Sequence, residues 1–384
     1  MMVAEVRAGD SMRSVARAHQ VSLSTVQLWV GHARDLALDR VDWSDRAPLP
    51  MHTQRSKPAI EDRVLRLRRE LKETSDLGEY GATAIHRELL ARGYRVLPSV
   101  RTIGRIVERR GALDGRRRIR RNPPPPGWYL PEVAQEKAEL DSFDIVEGLA
   151  LAGGRRVEVL NVVSLHGGLP GAWPQPLVTS KTTVQALLQH WRQFGLPGYA
   201  QFDNDTIFQG SHSARDALGR VVRVCLQLGV SAVFAPPRES GFQAAIENFN
   251  GRWQSKVWTR FHHDSLRALQ QRSRRYVQAY RQRAAARIQD APKRRPLPTS
   301  WRPDLQAQPQ GVVIFIRRTS ELGTVSLLGR SFDADRLWPN RLVRCELDLR
   351  ADTIRFYALR RRDPNHQPLL RQTSYHLPRK PFRE

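Results

Sequence analysis

The chain has 384 residues, and 63 Lys and Arg against 38 Asp and Glu give it a formal net charge of +25. A content of 40% hydrophobic and 8% aromatic residues is enough for folded cores and excludes wholesale disorder. This excess of positive charge indicates a polyanionic partner, and nucleic acid is the first candidate, although ribosomal and membrane-surface proteins share the signature.

Cys225 and Cys345 are the only cysteines. They form neither a disulfide framework nor a CxxC zinc pair, so we expect a reducing, intracellular setting. The first ten residues contain no apolar signal-peptide core. The longest apolar stretches, such as residues 226–235, are far shorter than the roughly 18 residues of a membrane helix. We therefore expect neither secretion nor membrane insertion.

Residues 1–45 are predicted to contain a helix-turn-helix. Val15, Ala16, Val26 and Trp29 mark the apolar faces of two short helices within residues 11–32, and Ser22 is suited to cap the second. The turn has Gln20 where glycine is usual. A helical hairpin that touches no DNA is the alternative.

Residues 56–121 predict a second helix-turn-helix domain, of the winged-helix or homeodomain-like kind. Its helices are expected at 60–71, 82–91 and 100–109. The exposed face of the third helix carries Arg101, Arg105 and Arg109, which suits a phosphate-lined groove. We predict that this third helix is the recognition helix.

The rest of the chain is divided by prolines. Residues 122–137 begin with four prolines, which are extended and indicate a linker. A second basic, proline-containing linker is expected at 291–310. Short strands in residues 311–362 predict a small β-barrel, and residues 363–384 read as a loose tail.

In residues 138–290 the spacing of apolar residues changes to the alternation that is typical of β-strands. Strands are expected at 140–146, 156–165 and 171–177, followed by a helix at 182–194, a strand at 198–202, a helix near 214–228, a strand at 231–235 and a helix carrying Glu247. Three hairpin-like strands followed by alternating helices and strands predict a mixed sheet flanked by helices. This order is that of the ribonuclease H-like fold.

Several segments of this block resemble the integrase-type catalytic core of DDE transposases: ELDSFDIVEG, VEVLNVVSLHGG, FGLPGYAQFDNDTIF and LGVSAVFAPPRESGFQAAIENFNGRWQ. The upstream segment GATAIHRELLARGYRVLPSVRTIGRIVERRG is similar to the helix-turn-helix that precedes this core in bacterial insertion-sequence transposases. The resemblance extends over nearly the whole chain. It implies a retroviral integrase-like core in a multidomain chain, with all-α domains before it and a β-barrel after it.

Matched to the family pattern, the catalytic residues and metal ligands are Asp141, Asp203 and Glu247, with Asn250 three residues after the glutamate. The interval from Asp203 to Glu247 is longer than the family usually has. The resemblance implies two Mg²⁺ or Mn²⁺ ions, and the chemistry agrees, because phosphodiester transfer with two divalent ions calls for carboxylate ligands.

Other carboxylates are possible ligands in this pattern. Asp144 and Asp205 are near neighbours that could substitute for the aspartates, and Glu239 is a poorer candidate for the third position. Arg252 and Lys256, on the helix of Glu247, are expected to grip DNA phosphates.

The family implies a DNA transposase or integrase that binds element ends and catalyses metal-dependent cleavage and strand transfer. Its expected partners are the terminal repeats, target DNA and further copies of itself, as a dimer or higher oligomer on DNA. The expected place is the bacterial cytoplasm, at the nucleoid. The alternative is a non-catalytic, sequence-specific DNA-binding protein derived from a transposase. An RNA-processing nuclease fits the core but not the helix-turn-helix blocks.

Overall fold

The structure is a computed structural model that describes residues 1–44, 56–94, 97–113, 126–211, 214–237, 239 and 241–382. The chain divides into two compact units, Met1–Ile60 and Glu61–Glu384. None of the helices within these described ranges is long and apolar enough to cross a membrane.

The first unit contains three short helices, α1 (Met2–Arg7), α2 (Met12–Ala18) and α3 (Leu23–His32). The two helices expected around the turn are present, and α1 is an addition. Ser22 caps α3 by accepting a hydrogen bond from the Thr25 N–H at 3.1 Å. Gln20, with φ of 52°, adopts in the turn the left-handed conformation that glycine favours.

The second helical block consists of α4 (Pro58–Thr74), α5 (Ala82–Ala91) and α6 (Val100–Arg109). Its core includes Ile85, Leu89, Ile103 and Ile106, all buried. Ser99 caps α6 by accepting a hydrogen bond from the Thr102 N–H at 3.2 Å. The apolar positions at helical spacing therefore point inward, as predicted.

A nine-stranded sheet forms the centre of the second unit. In chain order its elements and their neighbours are α7 (Pro131–Ala134), β1 (Leu140–Ala150), β2 (Arg156–Ser164), β3 (Pro170–Gln175), α8 (Ser180–Phe194), β4 (Tyr199–Phe202), α9 (Thr206–Gln209), α10 (Arg220–Gln227), β5 (Ser231–Phe234), α11 (Ala244–Trp253), a π-helical turn (Gln254–Trp258), α12 (Leu266–Arg283), α13 (Ala285–Asp290), β6 (Val312–Arg318), β7 (Thr324–Leu327), β8 (Arg330–Asp333), β9 (Leu342–Asp348), β10 (Thr353–Ala358) and β11 (Leu369–Ser374).

The strand order is β11-β10-β9-β6-β5-β4-β1-β2-β3. The strands β1 to β3 form an antiparallel meander, and β4 and β5 add to it parallel to β1. The mixed sheet, and the order of strands and helices along this part of the chain, agree with the prediction of a ribonuclease H-like core.

The prediction of a separate C-terminal β-barrel is wrong. The strand β6 pairs in parallel with β5, and β9, β10 and β11 extend the same sheet, so only β7 and β8 form a ribbon of their own. Without β6, the largely buried strand β5 would present an unpaired edge. The apolar run at Val313 to Ile316 covers that edge and is itself buried.

Helices cover the two faces of this sheet with separate cores. One core contains Phe143, Trp191, Phe202 and Phe234, with α8 and α10 packed on the sheet. The other contains Val159, together with Ile246 and Trp253 of α11 and Leu269 of α12. Strand β1 therefore has a packed helix on each side, and its side chains alternate between the two cores.

Both expected linkers are built into the core where they are described. Trp128, Tyr129 and Leu130 are buried, and Arg295 forms a β-bridge with Leu196. The expected tail contains β11. The basic run at 116–121 and the prolines at 123–125 lie outside the described residues.

Candidate catalytic site

Strand β1 carries two aspartates that point to opposite faces of the sheet. Asp141 and Asp144 are separated by three positions, and successive side chains of a strand alternate between faces. Asp141 shares the α8 face with Phe143, which packs on Trp191. Asp144 contacts Asn250 of α11 on the other face.

Asp141 is fully buried in an ion pair. Its carboxylate accepts hydrogen bonds from the Trp191 Nε1 at 3.0 Å and from both terminal nitrogens of Arg294, one of them at 3.0 Å. The Nε2 of His190 lies 3.9 Å away. Burial acts to raise the pKa of Asp141, but the charge and hydrogen bonds of Arg294, helped by His190 and Trp191, hold it below its usual value.

The expectation that Asp141 joins Asp203 and Glu247 in one cluster is therefore wrong. The physical reason is that its charge is already neutralised on the opposite face by Arg294, a residue of the expected linker at 291–310. The alternative aspartate, Asp144, lies on the face of α11.

Asp144 is positioned by a chain of amides. Its Oδ2 accepts a hydrogen bond of 2.6 Å from the Nδ2 of Asn250, whose Oδ1 accepts one of 2.8 Å from Asn161. Asn161 is directly opposite Asp144 in the β1–β2 register. Burial, followed by the charges of Asp203 and Glu247, raises the pKa of Asp144 to about 6 against the hydrogen bond from Asn250.

Asp203 follows β4, and Glu247 lies in the first turn of α11. The Oδ1 of Asp203 accepts a hydrogen bond from the Asp205 N–H at 3.0 Å. Burial, together with the charge of Asp205, raises the pKa of Asp203. Asp203 and Glu247 line one open cleft, with Pro237 on its wall.

The other candidate acids have structural partners. Asp205 caps α9 by accepting a hydrogen bond from the Ile207 N–H at 2.7 Å. Glu239 is paired with Arg318 and Arg361. Both residues line the same cleft, but their carboxylates are engaged in these local contacts.

The donor chemistry of this site suits a divalent cation. Carboxylate oxygens are the hard ligands that Mg²⁺ and Mn²⁺ prefer, and a bound cation would relieve the mutual repulsion that contributes to the raised pKa of Asp144. Within the described ranges, however, no three His, Cys, Asp or Glu residues stand close enough to hold an ion. The chemistry therefore fits, and side-chain movement is needed to close the ligand set.

The expected DNA-contacting arginines of α6 fall into two kinds. Arg101 and Arg105 are exposed on the solvent side of the helix. Arg109 instead forms an ion pair with Glu61 of α4, and Arg110 contacts the same carboxylate. Glu61 is buried, so Arg109 holds two helices of the block together.

Arg252 and Lys256 belong to a joint between the second helical block and the sheet. Lys256 donates a hydrogen bond of 3.1 Å to the Gly78 carbonyl, and Arg260 donates to the carbonyls of Lys72, Glu73 and Ser75. These contacts attach the C-terminal end of α4 to the π-helical turn.

Gly78 has φ of +59°, and an added Cβ would lie 2.8 Å from the Lys256 side chain, so the joint requires glycine there. Arg252 donates to the Tyr280 hydroxyl at 3.2 Å. The positions predicted to grip phosphates therefore have partners within the chain.

Asn161 and Arg294 were missed from the sequence. Asn161 gave a signal, since it interrupts the apolar stretch VEVLNVV of β2. Arg294 gave none, because it is one basic residue among many. Trp253, on the same helix as Glu247, is fully buried and donates to the Ser273 hydroxyl at 2.9 Å.

No family model matches this sequence, and no curated relative does either. Solved structures similar to parts of it include two integrase catalytic core domains and one intasome. The catalytic core domain of BIV integrase has 16% identity over 36% of this chain and 80% of its own, with a TM-score of 0.26.

A simian T-cell lymphotropic virus intasome in complex with the PP2A regulatory subunit B56 gamma has 13% identity over 69% of this chain and 84% of its own, with a TM-score of 0.34. The HTLV-2 integrase catalytic core domain in complex with magnesium, in a dimeric form, has 14% identity over 36% and 82%, with a TM-score of 0.26. Because these TM-scores are low, a function has to be argued from the geometry of the site itself.

Proposed function

We propose that this protein is a DDE-type DNA transposase of the bacterial insertion-sequence kind, which binds element ends and catalyses metal-dependent DNA cleavage and strand transfer. The observation that carries the proposal is that Asp203, after β4, and Glu247 of α11 line one cleft, and that both are near enough to Asp144 of β1 for their charges to act on it. Three carboxylates on separate rigid elements at one sheet face suit phosphodiester chemistry.

In this proposal Asp144 replaces Asp141 as the first catalytic carboxylate, and Asp203 and Glu247 keep their roles. The three residues would hold two Mg²⁺ or Mn²⁺ ions, which when bound stabilise the attacking and leaving oxygens of an in-line displacement. Asn250 orients the Asp144 carboxylate and favours its ionised form. The backbone of Asp205 holds Asp203 at the end of β4.

The net charge of +25 supports duplex DNA as the substrate. Arg101 and Arg105, exposed on α6, are the residues that we propose to contact the element ends. Joining two DNA ends calls for at least two protomers, so we propose a homodimer or higher oligomer on DNA. A bacterial cytoplasmic location at the nucleoid belongs to the same proposal.

One observation favours the alternative, a DNA-binding protein without catalysis. The acids within the described ranges are not gathered closely enough to hold an ion as they stand. Under this alternative the site would bind no divalent cation, and the protein would recognise DNA ends only through its helical blocks.

A strand-transfer assay separates the two. The full chain is incubated with duplex oligonucleotides copied from the inverted repeats that flank its coding region, in Mg²⁺, Mn²⁺ or Ca²⁺. We expect cleavage and joining in Mg²⁺ and Mn²⁺, and Asp203→Asn should abolish both while DNA binding persists. Specific binding of the unaltered chain with no cleavage in either metal would support the alternative.

A further inference from the structure

A second cavity lies beside the carboxylate cleft. It has a volume of about 220 Å³, and it shares Asn204 and Pro237 with the wall of that cleft. Gln209 at the end of α9, Arg317 of β6 and Ser326 of β7 line the rest. The extension of the sheet by β6 is what brings Arg317 to this place.

Arg317 contributes a cation that has no anionic partner. Its one hydrogen bond is donated to the neighbouring Ile316 carbonyl at 2.9 Å, and no carboxylate of the described ranges lies within ion-pair distance of it. The adjacent Arg318, in contrast, is paired with Glu239. Burial lowers the pKa of Arg317 to about 10, so it remains charged at neutral pH. A partly buried guanidinium whose partners are a carbonyl and the ring of Phe315, 5.1 Å away, is costly and suits an anion that arrives with a ligand.

Gln209 contributes an acceptor that has no donor. Gln209 as a whole residue is 8% exposed, and its Oε1 has no hydrogen-bond partner. A buried amide oxygen left unpaired costs free energy, which a ligand with an N–H group would recover. The cavity therefore presents one positive charge and one hydrogen-bond acceptor to the same space.

We propose that this cavity binds one nucleotide of an unpaired DNA strand, with its phosphate on Arg317 and an N–H group of its base on Gln209. A free phosphate satisfies the arginine alone, whereas a nucleotide satisfies both groups. A base within a duplex is stacked and cannot enter a cavity of this kind, so the strand must be unpaired there. The inference rests on the proposed function, since it takes DNA as the substrate of the adjoining cleft.

The arrangement explains why an uncompensated arginine is present in β6. Replacing Arg317 by Met removes a desolvated charge and keeps most of the side-chain volume, so the folded protein is at least as stable. The same change removes the phosphate ligand. A role in binding and a role in folding thus predict opposite results for one variant.

The test uses the full chain in EDTA, where binding is measured without cleavage. Fluorescence anisotropy compares a blunt duplex with the same duplex carrying a short single-stranded flap, at several salt concentrations. The unaltered protein is expected to prefer the flapped duplex. Arg317→Met should weaken flap binding about tenfold and reduce the salt slope by about 0.7. Gln209→Met should also lose the flap preference but keep the salt slope.

Arg350→Met is the matched control, because Arg350 is exposed and does not line the cavity. It removes the same charge and should keep the flap preference. Unchanged flap binding in the Arg317 or the Gln209 variant overturns the proposal, as does a large fall in the thermal unfolding midpoint of Arg317→Met. Because these measurements need no catalysis, they stand even if no cleavage is found, and Asp203→Asn tests that separately.

Discussion

Asp141 and Asp144 lie on the same strand and differ in almost everything else. On the α8 face, Asp141 is neutralised by Arg294, and its pKa is held below the usual value. On the α11 face, burial and the charges of Asp203 and Glu247 raise the pKa of Asp144 to about 6. The comparison teaches that one face of β1 uses a carboxylate to hold the fold, whereas the other keeps carboxylates together at a cost in repulsion.

The largest effect is expected on DNA cleavage. Asp144→Asn removes a proposed metal ligand, which supplies several kcal/mol to the transition state, so the cleavage rate should fall about a thousandfold or more. Asp141→Asn should keep cleavage close to the unaltered rate per folded molecule. The rates are measured on end duplexes in Mg²⁺, with folded protein quantified by circular dichroism. Full activity in Asp144→Asn, with none in folded Asp141→Asn, would reverse the assignment.

The next effect is on stability, on the α8 face. Arg294→Met leaves Asp141 buried without its counter-ion, which should lower the free energy of unfolding by about 3–5 kcal/mol. Urea unfolding at pH 7 measures it. Arg302→Met, in the same segment but exposed, is the control and should change it by less than about 0.5 kcal/mol. A loss below about 1 kcal/mol for Arg294→Met would contradict the structural role of the pair.

The pH dependence of stability should have opposite signs on the two faces. Folded Asp144 binds more protons than the unfolded chain between about pH 4 and 6, so its contribution to stability falls as pH rises through this interval. Folded Asp141 binds fewer, so its contribution is present above the unfolded pKa and is lost as pH falls through the lowered folded pKa.

Asp144→Asn should therefore be more stable than the unaltered protein by about 3 kcal/mol at pH 7, with the difference gone near pH 4. Asp141→Asn should be less stable at pH 7. Urea unfolding at unit steps of pH gives both profiles. Protons compete with the metal for Asp144, so cleavage at low Mg²⁺ should decline as pH falls, and added Mg²⁺ should move this decline to lower pH. If the stability difference from the unaltered protein changed with pH in the same direction for both variants, the comparison would be contradicted.

The smallest effect is expected at Asn250, a positioning residue. Asn250→Ala removes the hydrogen bond that favours the ionised form of Asp144, so the pKa of Asp144 should rise further. The cleavage rate should fall about tenfold, and the acid limb of its pH profile should move to higher pH. Asn250→Asp should raise that pKa further than Asn250→Ala does, because it removes the same N–H donor and adds a negative charge beside Asp144. A lower rate with an unmoved pH profile would leave Asn250 a purely structural role.

Local sequence signals were sufficient for the helical blocks and for most strands. The bounds of α5 and α6 agree with the prediction, because their apolar residues recur at helical spacing and Ser99 supplies a cap. The alternation within β1 showed that Asp141 and Asp144 face opposite ways. It could not show which face holds the site, because helices cover both sides of the strand.

The sequence by itself determined the basic charge, the helices with their caps, the order of strands and helices along the core and the acids from which the proposed site is drawn. Tertiary structure alone decided three things: Asp144 rather than Asp141 faces Glu247, β6 closes the edge of β5 instead of starting a barrel, and Arg317 lies beside the cleft. The physical reason is that periodicity and capping act over a few residues. The burial of a charge depends instead on a partner such as Arg294, more than 150 positions from Asp141 along the chain.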